Sequence, residues 1–157
     1  MTGAVSFMNV MRGKLVTLLA ETTIAAGDDG TVASGWTTNL QGYTRATILL
    51  TVSAKTMDAS TTLDVVVQYS PDEGTTADDI AAFTQMTNAA VADGTYVLVL
   101  NGTPAAGSAD RVVADGTLAA GSLLDIPWCD QVRVKYIAAN YAGTDTVTVK
   151  VQAYFQS

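Results

Sequence analysis

Residues 61–85, TTLDVVVQYSPDEGTTADDIAAFTQ, contain the clearest strand and turn patterns in the chain. From Thr61 to Ser70, apolar and polar side chains alternate with a period of two, which is typical of a half-buried strand. Val66 is the single apolar residue on the polar face. The face predicted to enter the core consists of Leu63, Val65, Val67 and Tyr69.

A tight turn is predicted directly after this strand, at residues 70–74. Pro71 removes a backbone donor, Asp72 can bond its own backbone two residues further on, and Gly74 tolerates positive φ. The stretch therefore predicts a hairpin. Its returning strand is predicted to carry Ile80, Phe83 and Met86.

The rest of the chain repeats this organisation, with strand-like segments separated by Gly, Asn and Asp turns. About eight to ten strands are expected from the spacing, which is typical of an antiparallel sandwich or barrel. Residues 95–100, TYVLVL, are apolar without a break, which predicts a strand covered on both faces. Further strands are predicted at residues 15–25, 31–36, 43–54, 111–114, 123–126, 131–139 and 145–155.

We therefore predict an all-β fold, an antiparallel β-sandwich or jelly-roll-like domain with a short N-terminal arm. The chain has 157 residues, within the usual size of one domain, and no linker-like segment divides it. The arm is assigned to residues 1–13 and the single β-sandwich domain to residues 14–157. The predicted core includes Ile48, Leu50, Val52, Leu63, Val65, Val67, Leu98, Val132, Val134, Val147, Val149 and Val151.

The N-terminal arm is the part of the chain for which we predict partner contacts. Three of the five methionines lie in it, and methionine side chains adapt to irregular surfaces. The run is too short to form a stable helix alone, so a frayed terminus is the alternative interpretation. The predicted contact residues are Val5, Phe7, Met8, Val10 and Met11.

Composition and charge exclude several classes of function. The chain is 48% hydrophobic but only 7% aromatic, and its formal charge is −7 with a pI near 4.2. An acidic protein repels phosphate backbones, so we expect no nucleic-acid partner. No window approaches the ~20 apolar residues of a membrane span, and the start lacks the pattern of a signal peptide. We expect no membrane association, and folding in the cytoplasm.

The reactive residues do not form a recognisable catalytic set. Histidine is absent and Cys129 is the single cysteine, which excludes Ser-His-Asp and Cys-His arrangements and disulfides within one chain, and disfavours zinc. We predict no enzymatic activity, no cofactor and no metal, with Cys129 a small packed side chain. Calcium at the acidic pairs 28–29, 72–73 and 78–79, or glycosidase carboxylates, are the weaker alternatives.

Two quoted segments carry a resemblance to a known group of proteins. Residues 63–86, LDVVVQYSPDEGTTADDIAAFTQM, and the closing VRVKYIAAN and TVTVKVQAYF resemble small β-sandwich structural proteins of tailed bacteriophages. Their usual form is a strand, an S-x-D-G-G-T-T-W-like turn, an I-x-x-F-T return strand and a terminal R-V-K-Y hairpin. The resemblance covers about half of the chain. Position 73 is Glu and position 77 is Ala, where that pattern has Gly and often Trp.

The resemblance implies a virion structural protein, most specifically a capsid decoration (cement) protein on the outer surface of the phage head. It implies the major capsid protein as partner, assembly in the host cytoplasm, and a homo-oligomer, preferably a trimer. A symmetric oligomer multiplies weak contacts, so each subunit need bury only a modest patch. The alternatives are another virion protein such as a tail-tube component, or a carbohydrate-binding β-sandwich module.

Overall fold

The regular secondary structure is entirely β in the part of the chain that the structure, a computed structural model, describes: residues 13–101, 118–124 and 131–157. Alternating β-branched residues and Gly-rich turns account for this. The strands are β1 (Gly13–Ala25), β2 (Gly30–Ala33), β3 (Arg45–Thr56), β4 (Thr62–Ser70), β5 (Asp78–Ala82), β6 (Gly94–Asn101), β7 (Gln131–Ala139) and β8 (Thr146–Gln156).

The strands form two antiparallel four-stranded sheets, with the orders β1-β8-β3-β6 (the first sheet) and β2-β7-β4-β5 (the second sheet). First pairs with eighth, second with seventh, third with sixth and fourth with fifth. A long hairpin rolled into two layers gives this order, which is the jelly-roll arrangement. The predicted antiparallel β-sandwich is therefore confirmed.

The core lies between the two sheets and is built from one side of each long strand. In β3 and β8, buried and partly exposed residues alternate through most of the strand, as the period-two pattern predicts. Eleven of the twelve predicted core residues are buried; Leu98 is only partly buried and packs against the core. The largest fully buried side chains include Phe155, Ile24, Leu40, Ile48 and Leu50.

The prediction that residues 95–100 are covered on both faces is wrong. β6 lies at the edge of the first sheet, next to β3 alone among the described strands, and Val97 is 55% exposed. A continuous apolar run does not distinguish a central strand from an edge strand, because both present apolar residues to the core.

The prediction that β4 is half-buried is also wrong. The face of β4 turned away from the core carries Gln68 and Ser70, which are only 0% and 1% exposed. Polar residues on one face of a strand do not show that this face is in contact with water, because polar side chains can be buried when they are hydrogen-bonded.

Some predicted segments lie outside the described residues: the arm at residues 1–12, the strand at 111–114, and residues 125–126 of the strand at 123–126. Within the last of these, Leu123 forms an isolated antiparallel bridge with Ala81 of β5. β1 begins at Gly13, the residue where the predicted arm ends.

Candidate functional site

The acidic turn between β4 and β5 is held by side-chain hydrogen bonds. Ser70 Oγ accepts from Gly74 N at 2.7 Å, and Asp72 Oδ1 accepts from Thr76 N at 2.7 Å and Thr76 Oγ1 at 2.9 Å. The backbone is left-handed at Glu73 and Gly74, with φ of 58° and 91°. The bond from the Thr76 amide is the main cause that lowers the pKa of Asp72 below 3.8. The Asp72 carboxylate therefore shapes the turn.

Trp36 lies against this turn. A Cβ at Gly74 would lie 3.1 Å from Trp36 Cδ1 and 2.9 Å from Gln131 Oε1, so both space and φ require glycine. The Arg133 guanidinium lies over the indole, with Cζ 4.3 Å from the ring centroid. Position 77 is Ala, and the indole that packs on the turn comes instead from Trp36.

A group of polar side chains, which we call the polar cluster, crosses β5, β4 and β7 on the face turned away from the core. It consists of Gln68, Asp79, Arg133 and Lys135. Gln68 Nε2 donates to Asp79 Oδ1 at 2.7 Å, Lys135 Nζ lies 3.1 Å from the same oxygen, and Arg133 Nε donates to Gln68 Oε1 at 2.8 Å. Asp79 and Lys135 are only 1% and 3% exposed.

The polar cluster has a structural explanation. The Asp79 carboxylate is neutralised by an ammonium and bonded by an amide, as buried charges require. A buried ion pair adds little net stability, but it is costly to break and so selects one arrangement of the strands that carry it. We therefore interpret the cluster as fixing β5, β4 and β7 in register, and we assign it no catalytic role.

Asp145 organises the opposite end of the sandwich. Its carboxylate accepts hydrogen bonds from Thr61 Oγ1 at 2.7 Å, Asp58 N at 2.8 Å and Ala142 N at 3.1 Å. The Thr61 hydroxyl is the main cause that lowers the pKa of Asp145 below 3.8. Burial is the main cause that raises the pKa of the neighbouring Tyr141, whose backbone N donates to Asp29 Oδ1. One carboxylate thus joins the β3–β4 and β7–β8 loops.

The ammonium of Lys55 holds the loop between β5 and β6. Its Nζ donates to the carbonyl oxygens of Thr87 at 2.6 Å, Ala90 at 2.8 Å and Val91 at 2.5 Å. Val91 has a positive φ of 63°, so the loop turns sharply where its carbonyls meet the lysine. Lys55 therefore closes a loop that flanks the larger cavity described next.

A cavity of about 390 Å³ opens beside β6 and is lined by Leu50, Phe83, Val91, Tyr96 and Leu98, among others. A second cavity of about 270 Å³ lies beside the polar cluster, with Asp64, Asp79 and Gln85 in its wall.

The polar groups in the second cavity are already bonded. Gln85 Nε2 donates to both oxygens of Asp64, at 3.1 and 3.0 Å, and Asp79 is paired with Lys135. Neither cavity brings together a nucleophile and a base among the described residues.

The structure tests only part of the site predicted from the sequence. The predicted partner-contact residues Val5, Phe7, Met8, Val10 and Met11, and Cys129, lie outside the described residues. The three acidic pairs lie apart, in the β1–β2 turn, in the β4–β5 turn and on β5. Across residues 13–101, 118–124 and 131–157, no three His, Cys, Asp or Glu side chains are placed to hold a metal ion.

Two residues central to the packing, Lys55 and Gln68, were not singled out from the sequence. Lys55 bonds a loop more than thirty residues away, and no local pattern indicates such a contact. Gln68 and Asp79 lie opposite each other in a hairpin that the sequence predicts. Pairing the two strands of that hairpin residue by residue would have predicted their contact.

Comparisons with known proteins assign no family. No protein-family model matches the chain, and no curated protein matches it. Within the described ranges, no helix has the length and apolar character needed to cross a membrane.

Proposed function

We propose that the protein is a virion structural component, specifically a decoration protein that binds the outer surface of a tailed-phage head and stabilises the shell. The observation that carries the proposal is that the hairpin segment and the VRVKYIAAN part of the closing segment form one structural unit, whereas TVTVKVQAYF forms β8 of the first sheet. The hairpin at residues 63–86 and the R-V-K-Y strand are neighbours in the second sheet. They are joined by the polar cluster, with Arg133 bonded to Gln68 and Lys135 to Asp79.

The fold and the chemistry support this proposal. Jelly rolls occur in viral capsid and lectin domains, although a fold by itself does not determine function. The carboxylates of Asp72, Asp79 and Asp145 are used in internal hydrogen bonds rather than aimed at a substrate. Among the described residues, this use of the carboxylates favours action by surface contact.

The lectin alternative receives less support. A sugar-binding surface presents several exposed aromatic rings, whereas Trp36 is packed between the acidic turn and Arg133. Tyr154 is the single aromatic side chain among the exposed large hydrophobics of the described residues.

Co-sedimentation with phage heads tests the proposal. Purified protein is mixed with heads that lack a decoration protein and with fully decorated heads, and the pelleted fraction is measured. We expect saturable binding to the undecorated heads and little binding to the decorated ones. Binding to neither would refute the proposal, and self-assembly into rings or tubes would favour a tail-tube component.

A further inference from the structure

The outer surface of the first sheet, the side turned away from the core, concentrates the exposed apolar side chains of this protein. The register places Leu15 opposite Tyr154 and Leu49 opposite Val97. Val99 lies two residues after Val97 and on the same side of β6. Three of the five exposed large hydrophobics in the described part lie here: Leu15 at 62%, Val97 at 55% and Tyr154 at 36%. We call this surface the apolar face. It consists of Leu15, Leu49, Val97, Val99 and Tyr154.

The charges on the first sheet are opposite in sign to that of the whole chain. Its four strands contain four Lys or Arg residues and one acidic residue, Glu21, which gives +3, whereas the whole chain carries −7. Arg45 and Lys150 flank the apolar face at its two ends. Arg45 lies two residues before Thr47 on the same side of β3, and Lys150 lies two residues before Gln152 on the same side of β8.

These two flanking cations are available for an external partner. Neither Arg45 nor Lys150 forms an ion pair or side-chain hydrogen bond in the described structure. In contrast, Lys55, Arg133 and Lys135 are all bonded inside the protein.

The size of the apolar face indicates the kind of contact that it can make. Strand spacing of about 4.8 Å and same-side spacing of about 6.8 Å give four strands by two residues an area of about 260 Å². A stable pairwise interface buries roughly 800 Å² per partner. The face alone is therefore too small for a tight dimer in dilute solution, but it suits one of several weak contacts that the subunits of an oligomer make together.

From these observations we propose that the apolar face is the surface that seats on the shell, and that the shell surface beneath it is apolar at its centre with carboxylates opposite Arg45 and Lys150. The inference rests on the proposed function and names the contact surface that this function needs. Gly13, where β1 begins, lies at the edge of the same face and is covered by the Tyr154 ring.

A matched pair of double variants tests the apolar part of the proposal. Leu15→Asp/Val97→Asp places charge on the apolar face, and the control Val32→Asp/Leu123→Asp changes exposed apolar residues elsewhere. Binding to undecorated heads is measured by co-sedimentation, after thermal melting has shown that each variant is folded. Val97→Thr, which keeps the shape and strand preference of valine, replaces the face variant if that variant does not fold.

We expect the face variant to bind at least about tenfold more weakly and the control to stay within about twofold of the wild type. Equal binding by the face variant, or an equal loss in the control, would overturn the proposal while wild-type binding still upheld the proposed function. If wild-type protein does not bind heads at all, the proposed function fails first and the inference fails with it.

Charge reversal tests the acidic character of the partner. Arg45→Glu/Lys150→Glu should weaken binding at low salt and reverse its salt dependence, because the new repulsion from the partner's carboxylates is screened as ionic strength rises. Arg45→Lys/Lys150→Arg keeps both charges and should bind like the wild type. Wild-type binding that does not respond to salt would show that the partner surface is not acidic.

Discussion

Val65 illustrates how a single position in this sandwich is constrained. It is 1% exposed and lies in the middle of β4, with β5 and β7 on either side. We expect Val65→Asp to prevent cooperative folding, since an unpaired buried charge costs several kcal/mol against a total stability of about 5–15 kcal/mol. Circular-dichroism melting measures this. Ser53→Asp, at an exposed site on β3, should melt like the wild type, and a Val65→Asp protein that also did so would contradict the assigned face.

The polar cluster gives a second prediction at the scale of single residues. Lys135→Met leaves Asp79 buried without its ammonium, which should lower the free energy of unfolding by about 3–5 kcal/mol. Lys150→Met makes the same chemical change on the outer surface of β8 and should alter it by less than about 0.5 kcal/mol. Urea denaturation compares the two. Equal losses would show that the buried ion pair has no special role.

Among the elements, the β7–β8 loop should depend most on pH. The lowered pKa of Asp145 means that its ionised form stabilises the fold above pH 3.8 and that this contribution is lost as pH falls through the lower, folded pKa. We expect the melting temperature of the wild type to fall as the pH drops below about 4, because the unfolded chain then binds a proton at this carboxylate more readily than the folded protein does. Asp145→Asn should melt lower at neutral pH and show a shallower fall.

The exposed carboxylate of Glu21 provides the control for the pH experiment, because Glu21→Gln changes a charge on β1 outside that loop. Its pH profile should follow that of the wild type. An Asp145→Asn profile parallel to the wild type would assign the acid sensitivity to other groups, of which Asp72 is the first candidate because its pKa is also lowered.

The strands show how much of the fold can be predicted from the sequence. Alternation in β3, β4 and β8 identifies which residues share a face, so eleven of the twelve residues predicted for the core are buried. Alternation does not reveal what covers the opposite face or which strands lie at an edge. The buried Gln68 and the exposed Val97 were therefore both missed. The apolar face combines residues from four strands, so it could not be recognised before the strand order was known.

For the molecule as a whole, we predict that residues 1–12 contribute little to the stability of the domain. Ordering the arm costs about 1–2 kcal/mol per residue, which nearly cancels the gain from burying its apolar side chains at about 25 cal/mol per Å². Removing residues 1–12 should therefore leave the melting temperature almost unchanged while weakening oligomer formation or attachment to heads. Light scattering measures oligomer formation, and co-sedimentation measures attachment to heads. If the truncated protein kept the wild-type oligomeric state and affinity for heads, the arm would be a frayed end with no role in binding.

The pairing of β1 with β8 also determines the order in which a nascent chain can fold. Gly13 pairs with Gln156, so this ladder cannot form until β8 has left the ribosome, whereas β4 and β5 are joined by one turn. Closing such distant contacts is slow, commonly milliseconds to seconds in all-β domains. Of the eight described strands, β1 is therefore made first and is the last to find its partner. It is the described strand that stays exposed to mispairing for the longest time during translation.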